Sequence, residues 1–423
     1  MERMIKLLAQ AGIADYIVCR HTERTAELFF VKKQLDTRRI KDVEKFAVTV
    51  FRKGGKDGTP MRASTNVTLL PSMTDDEILG ALKDAYFAAQ FAMNPDYELP
   101  DPVRAPLVEQ HGALADGEPE LSAGKLAEAL FAADRTEGAF LNSAEIFVLK
   151  QSFRVISSRG ADVSWTQAKA EGEYVVQARQ PEDVEIHRRF SFDELKTEEL
   201  TRQAAEALAF VRDRARAQRI LKSGSYDLIL TGENAAEVLN FYAERSAASM
   251  LFSGYSTWKL GDDVQGPSEG ERIDLTLRAE APYSGEGIPM KDLPLLERGK
   301  LLRTHGSNRF CRYLGSEPTG DYRKFSCDNP GTLSFEEMKK SPCVWAVTFS
   351  DFQMDAFSGH FGGEIRLAYL IEDGKLTPVT GGSVNGSLLE AQRDLAFSTD
   401  RFSSGSYAGP YALRLKNVRI AGV

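Results

Sequence analysis

Apolar and polar positions along this chain change period several times, and each change predicts a change of element. Residues 4–11 repeat apolar side chains at helical spacing. Residues 16–20, 26–34 and 45–53 alternate or run apolar as strands do, and GGKDG at 54–58 turns the chain. Thr74 is a predicted N-cap, with Glu77 at the capping-box position and Ile78, Leu82, Ala85 and Ala89 along one helical face. These elements make residues 1–93 an N-terminal α/β layer domain. The stretch 94–120, rich in proline, glycine and acid, reads as a surface linker. A central α+β region, 121–224, has a short helix at 122–133 and strands at 139–150, 153–157, 162–170 and 173–179, separated by SSRG and EGE turns. A long helix over 192–221 follows, with Leu195, Leu200, Ala204, Leu208 and Val211 on its core side. Residues 225–423 read as a glycine-rich, mainly antiparallel β domain. EDGK at 372–375 forms a hairpin turn there, between 365–371 and 376–379, and GGSVNGS leads into a helix-like stretch. The predicted fold class is therefore α+β.

Composition narrows the function classes. A net charge of −8, from 53 basic and 61 acidic residues, offers no basic footprint for nucleic acid. The longest apolar runs are a few residues, so no membrane span is expected. The four cysteines, Cys19, Cys311, Cys327 and Cys343, form no close pair, and the charged amphipathic start lacks the apolar run of a signal peptide. A reducing cytoplasm fits best. Cys311, Cys327 and Cys343 recur at even sixteen-residue spacing, but without CxxC or CxxH they read as small buried hydrophobes rather than metal ligands.

The C-terminal motifs are the most informative. Residues 362–389 carry a glycine-rich strand, an apolar strand, the DG hairpin, Pro-Val and a spaced glycine pair, and the chain closes on PYALRLKNVRIAG at 410–422. Together with the order of elements in 32–58, this passage resembles the TldD/PmbA family, the putative modulators of DNA gyrase, over nearly the whole chain. The family's peptidases carry His-Glu-x-x-x-His after a strand and turn, and the matching segment here is LILTGENAAEVLNFYAERSAASM at 228–250. The resemblance places Phe241 and Ser246 at the histidine positions and Tyr242 at the glutamate. Phenylalanine has no lone pair for zinc, a serine hydroxyl is a poor ligand, and tyrosine does not replace the carboxylate base. The family's cysteine ligand is also missing from the short segment STDRFSSGSYAGPYAL at 398–413. The chain thus looks like a PmbA-like member lacking the zinc motif, with no cofactor of its own and zinc expected only in a catalytic partner. Histidines five apart point about 140° apart on an ideal helix, so zinc at that spacing needs a distorted turn. Without zinc, 238–248 is expected to be a regular helix in which Phe241 fills space.

Other candidate chemistry is weaker. Glu244, the carboxylate inside the degenerate motif, reads as a solvent-facing helix residue. Asp351, Asp355, Ser358 and His360 lie within ten residues and suggest a hydrolase triad, yet no nucleophile-elbow sequence accompanies them, and a turn whose polar groups satisfy the backbone explains them as well. His305 and Asn308 sit among Arg303, Arg309 and Arg312, which could take a carboxylate or phosphate or simply be solvated. The segment 269–289, with Gly270, Gly285 and Gly287, reads as a mobile loop facing the family's active-site groove. The function expected is a non-catalytic subunit or paralogue of a cytosolic zinc metallopeptidase assembly acting on unfolded or leader peptides. It would form a homodimer alone and a heterodimer with a TldD-like catalytic subunit, its exposed strand edges covered by the partner. The alternatives are a free-standing peptide-binding scaffold, or a hydrolase built on Asp355, Ser358 and His360.

Overall fold

The computed structural model describes residues 1–423, apart from the side chain at position 56. The N-terminal half is organised by one seven-stranded antiparallel sheet. Its strands are β1 (Asp15–Val31), β2 (Gln34–Lys56), β3 (Thr59–Leu69), β4 (Asn94–Pro95), β5 (Phe140–Ser157), β6 (Asp162–Ala178) and β7 (Val184–Phe192), in the order β4-β3-β2-β1-β5-β6-β7. Helices α1 (Glu2–Gln10) and α2 (Asp75–Ala89) pack together and cover β2 and β3. The capping box at Thr74 and Glu77 is formed, and Ile78, Leu82, Ala85 and Ala89 are buried as the pattern requires. After the one-turn α3 (Ala113–Asp116), helices α4 (Pro119–Ala132) and α5 (Thr197–Arg214) pack on each other and on the sheet.

Several expected boundaries do not survive. The segments at 16–20 and 26–34 are one strand, because the polar run at 21–25 keeps its ladder to both β2 and β5. The long helix starts at Thr197 rather than 192, since residues up to Phe192 complete β7. EGE at 171–173 is not a turn. Gly172 lies mid-strand in β6, where a Cβ would sit 2.1 Å from Glu145 O and 2.8 Å from the Phe190 ring. A glycine that looks like a chain reversal is instead a point of close approach.

The domain division at 93 and 120 has no counterpart in the sheet either. Strand β1 pairs β5 over fifteen residues, from Ile17 opposite Ser157 to Val31 opposite Ser143. The expected linker lies along the sheet, with Arg104 and Val108 bridging to Asp162 and Trp165.

The C-terminal half contains β8 (Gly224–Thr231), β9 (Leu275–Arg278), β10 (Leu293–Glu297), β11 (Lys300–Leu301), β12 (Lys324–Cys327), β13 (Cys343–Met354), β14 (His360–Glu372), β15 (Lys375–Val379), β16 (Ser383–Ser387), β17 (Ala396–Phe397), β18 (Arg401–Ser403), β19 (Tyr407–Pro410) and β20 (Ala412–Ala421). One sheet runs β11-β10-β9-β12-β19-β18. The other runs β13-β8-β20-β16-β14 and closes through β13–β14, with β15 hydrogen-bonded outside the ring. Asp373 (φ 50°) and Gly374 (φ 74°) make the β14–β15 turn with both central residues left-handed, which is why Asp-Gly occupies it. The ring closes one sheet on itself, while β15 and the two ends of the other sheet, β11 and β18, remain strand edges. Strand β8 is buried on both faces. Leu228 and Leu230 enter the C-terminal core, while Ile229 joins a core that also contains Leu208, Phe190 and Trp345. The two halves therefore share a hydrophobic core across residue 224.

Candidate functional site

Helix α6 (Glu233–Arg245) follows β8 across Gly232, whose φ of 55° suits glycine. Its apolar stripe, with Ala235, Val238, Leu239 and Tyr242, is buried against the C-terminal core. Phe241 is 1% exposed, Tyr242 0% and Ser246 0%. Their surroundings are packed rather than hollow. Phe241 meets Tyr242 edge-on with ring centroids 5.3 Å apart, and Trp258 lies 5.8 Å from Phe241 and 6.2 Å from Tyr242. The Arg245 guanidinium covers the Phe241 and Trp258 rings at 5.6 and 5.4 Å while donating to the carbonyls of Ala356 and Phe357. Tyr242 Oη donates to Gln392 Oε1 at 2.6 Å, and burial drives its pKa well above the ordinary phenol value. Tyr242→Phe is expected to keep the packing yet leave Gln392 Oε1 unpaired, at a cost of about 1–3 kcal/mol. Urea unfolding with an unchanged m-value checks this.

The expectation of a regular helix through 248 is corrected. Helix α6 ends at Arg245, Ser246 is its C-cap, Ala247 is extended, and α7 (Ala248–Phe252) restarts beyond it. Ser246 Oγ donates to Ala243 O at 2.9 Å. The break is held by His305, whose carbonyl accepts Ala248 N–H at 2.7 Å and whose Nε2 lies 2.8 Å from Ala243 O. A carbonyl only accepts, so Nε2 carries the hydrogen, and Nδ1 is buried without a partner. The kink is thus closed by a serine and a remote histidine.

His305 is 7% exposed, and burial lowers its pKa below the ordinary imidazole value. The native state holds it neutral while the unfolded chain protonates near the usual pKa of about 6.5. Its stabilising contribution is full above that value and is lost as pH falls toward the depressed native pKa. His305→Gln is therefore expected to flatten the fall in unfolding free energy between neutral and mildly acidic pH, measured by urea titration at each pH.

The donor set at the motif positions does not fit zinc. No group of three or more His, Cys, Asp or Glu that could hold a metal occurs among the described residues. The segment opposite contributes β18 and β19, and Ser398 Oγ is occupied by Ala412 N–H and Asp400 O. Glu244 is exposed and bonded to Asn240 at 2.7 Å. Asp355, Ser358 and His360 do come together, but in an order unlike a triad. Ser358 Oγ donates to Asp355 Oδ2 at 2.5 Å, Phe357 N–H donates to Asp355 Oδ1, and His360 N–H and Nδ1 lie 3.3 and 3.1 Å from Ser358 Oγ. The serine proton thus goes to the carboxylate rather than the imidazole, all three groups are at the surface or near it, and the arrangement closes a turn. Of the arginines near His305, Arg312 pairs Asp101 at 3.0 Å and Arg309 covers Phe310 at 4.5 Å. Asn308 bonds Glu286 and Glu98 O. The segment 269–289 is no free loop: it contains the whole of β9, and a Cβ on Gly270 would lie 2.3 Å from Leu395 O. Cys311, Cys327 and Cys343 are free and buried, and burial pushes the Cys327 thiol up to about 12.

One wide opening was invisible to sequence reading. A cleft of ≈ 1530 Å³ lies between the N-terminal sheet and the barrel, walled by Phe147 and Phe153 on one side and Phe349 and Phe352 on the other. Strand β7 pairs only β6, and β8 pairs β13 only at Val344–Ala346, so two strand edges face this cleft. The signal in sequence is the alternation in HRRFSF at 187–192, which is legible as a strand but not as a cleft wall.

Comparison with known proteins assigns the lineage. Residues 223–422 match the model of the PmbA/TldA metallopeptidase C-terminal domain. Those residues carry the C-terminal domain of the TldD/PmbA proteins. It is 27% identical over 225 residues to a metalloprotease TldD homologue of Haemophilus influenzae, and 30% identical over 138 residues to one of Buchnera aphidicola. The matches span 49% and 29% of this chain and 46% and 29% of those relatives, so less than half of either relative's length is covered. The fold is shared throughout with TldE of Thermococcus kodakarensis, with a TM-score of 0.76 at 17% identity, covering 99% of this chain and 100% of that one. A putative modulator of DNA gyrase from Bacteroides thetaiotaomicron gives 0.78 at 16%, with 100% and 98% covered. The α+β expectation and the family resemblance both hold. No helix among the described residues is long and apolar enough to cross a membrane.

Proposed function

We propose that this TldD/PmbA protein is a non-catalytic peptide-holding subunit, which works with a relative that retains the metal motif. The observation that carries the reading is the aromatic packing at the motif positions. Phe241, Tyr242, Trp258 and Arg245 pack against one another at the positions that the resemblance aligns with the motif, and the Tyr242 hydroxyl is taken by Gln392. The cleft supports a peptide role. An extended chain can add to a free strand edge through backbone hydrogen bonds. Side chains reach both edges, with Arg214 donating to Glu185 O and Asn234 to Val347 O at 3.2 Å, and a peptide backbone can displace both. Phenylalanines on both walls supply apolar pockets for alternate side chains.

Association with a partner is supported by exposed aromatic surface beyond the end of α6. Phe252, Tyr255 and Phe357 are 45%, 58% and 57% exposed. Such clustered apolar surface is typical of interaction sites. Co-expression with the metal-motif relative from the same organism, followed by light scattering, tests the subunit reading. A one-to-one complex supports it. Two separate species that each bind peptide favour a free-standing peptide-binding protein, a reading supported by the complete cleft within this one chain.

A further inference from the structure

Arg188 on β7 is a cation that feels the Glu206 and Glu233 carboxyls through space but hydrogen-bonds to neither. Its guanidinium donates to His187 O at 3.3 Å and to Thr348 Oγ1 at 3.1 Å, both neutral, and it forms no ion pair among the described residues. Burial lowers its pKa, a sign that its charge is under-compensated. It borders a small cavity of ≈ 130 Å³ beside the cleft, and the two share Arg188, Arg189, Ser191, Glu233, Asn234 and Val347 as a common wall. Three further features converge on the cavity. Gly232 gives α6 no side-chain cap, so the amides of Glu233 and Asn234 precede the helix's first internal bond, from Ala236 N–H to Gly232 O. Tyr174, 1% exposed, lines the cavity, and its Oη has no hydrogen-bond partner among the described residues. Ser404 Oγ is also buried in this wall, within reach of the Glu233 carboxyl. Of the two carboxyl groups in the wall, Glu206 is engaged by Tyr411 Oη at 2.9 Å, and burial raises the pKa of Glu233, favouring its neutral form.

We propose that this cavity is a carboxylate site that captures the C-terminus of a peptide lying in the cleft. Arg188 supplies the charge, and Tyr174 Oη, Ser404 Oγ and the α6 amides supply the remaining donors. The cavity, of ≈ 130 Å³, has room for a terminal carboxylate, while the cleft beside it holds the residues that precede. A guanidinium and a helix N-terminus both favour a planar anion. The site would therefore fix peptide polarity and register from the C-terminal end. This inference rests on the peptide-holding reading above.

The test is fluorescence anisotropy on the full chain, with a neutral octapeptide labelled at its N-terminus and prepared as the free acid and as the C-terminal amide. The free acid is expected to bind about tenfold or more tightly than the amide, the usual worth of a charge-assisted contact. Arg188→Gln should bring the acid down to the amide's affinity. Tyr174→Phe, which preserves shape, should weaken the acid several-fold and leave the amide unchanged, so the inference stays testable if the arginine variant fails to fold. Acetate should displace the acid in preference to the amide. Equal affinity of acid and amide for the unaltered chain overturns this inference alone and leaves peptide holding intact. Binding of neither form overturns both. Inorganic phosphate bound at the site with no preference between the peptides would mark it as a free-anion site and overturn the C-terminus reading.

Discussion

Installing Phe241→His, Tyr242→Glu and Ser246→His together is expected to cost the C-terminal half its fold before it confers any peptidase activity. Replacing a core phenylalanine by a smaller polar ring loses most of the ~3–5 kcal/mol that such a side chain contributes. Tyr242 is 0% exposed, and a glutamate there would be isolated among Trp258, Phe241 and Gln392. An unpaired buried carboxylate costs several kcal/mol or is forced to protonate. Together these approach the ~5–15 kcal/mol by which whole domains are stable. The third ligand is also absent, since the segment over 398–413 has no cysteine and its Ser398 is committed to backbone. The expected result is a chain that is insoluble or melts without cooperativity, checked by urea unfolding followed by tryptophan emission. A soluble variant that binds zinc and turns over peptide would show that the packed region is not the family's metal position.

The second large effect is expected from Gly172→Ala. A methyl group there meets Glu145 O at 2.1 Å, a backbone atom that cannot swing aside, and the Phe190 ring at 2.8 Å. The cost should reach or exceed the upper end of the ~1–3 kcal/mol typical of overpacking, because relief requires β5 and β6 to separate at the wall of the cleft. Gly124→Ala in α4 is the control. Nothing lies within 4 Å of its Cβ, and a mid-helix alanine should be neutral or stabilising by up to ~1 kcal/mol. Chemical denaturation of the two variants side by side gives the comparison.

These two positions also show what the sequence made legible. Local signals were sound where the chain interacts with itself nearby: the Thr74 capping box, the Asp373-Gly374 turn, the apolar face of α5, and α6 following a buried strand. Glycines were misread where their reason was remote. Gly172 is small because Phe190 and Glu145 press on it, and nothing within three residues says so. The domain boundary at 93 failed because β1 finds its second partner more than a hundred residues later, in β5. Barrel closure between β13 and β14 is likewise a property of pairing, not of periodicity. At the motif, chemistry by residue type was readable and geometry was not. Phe241, Tyr242 and Ser246 are visibly poor zinc donors in sequence, but Trp258, Arg245, Gln392 and His305 come to them from elsewhere in the chain. Arg188 gave no sequence signal at all, because its significance lies in the partner it lacks.

The central claim is that this chain holds peptide without cutting it. The most direct measurement is hydrolysis of an internally quenched peptide by the purified chain, alone and mixed with the metal-motif relative of its own organism, with and without a zinc chelator. The account predicts no turnover by the chain alone, and chelator-sensitive turnover only when the relative is present. Chelator-sensitive hydrolysis by the chain alone, persisting through repeated purification, would contradict it.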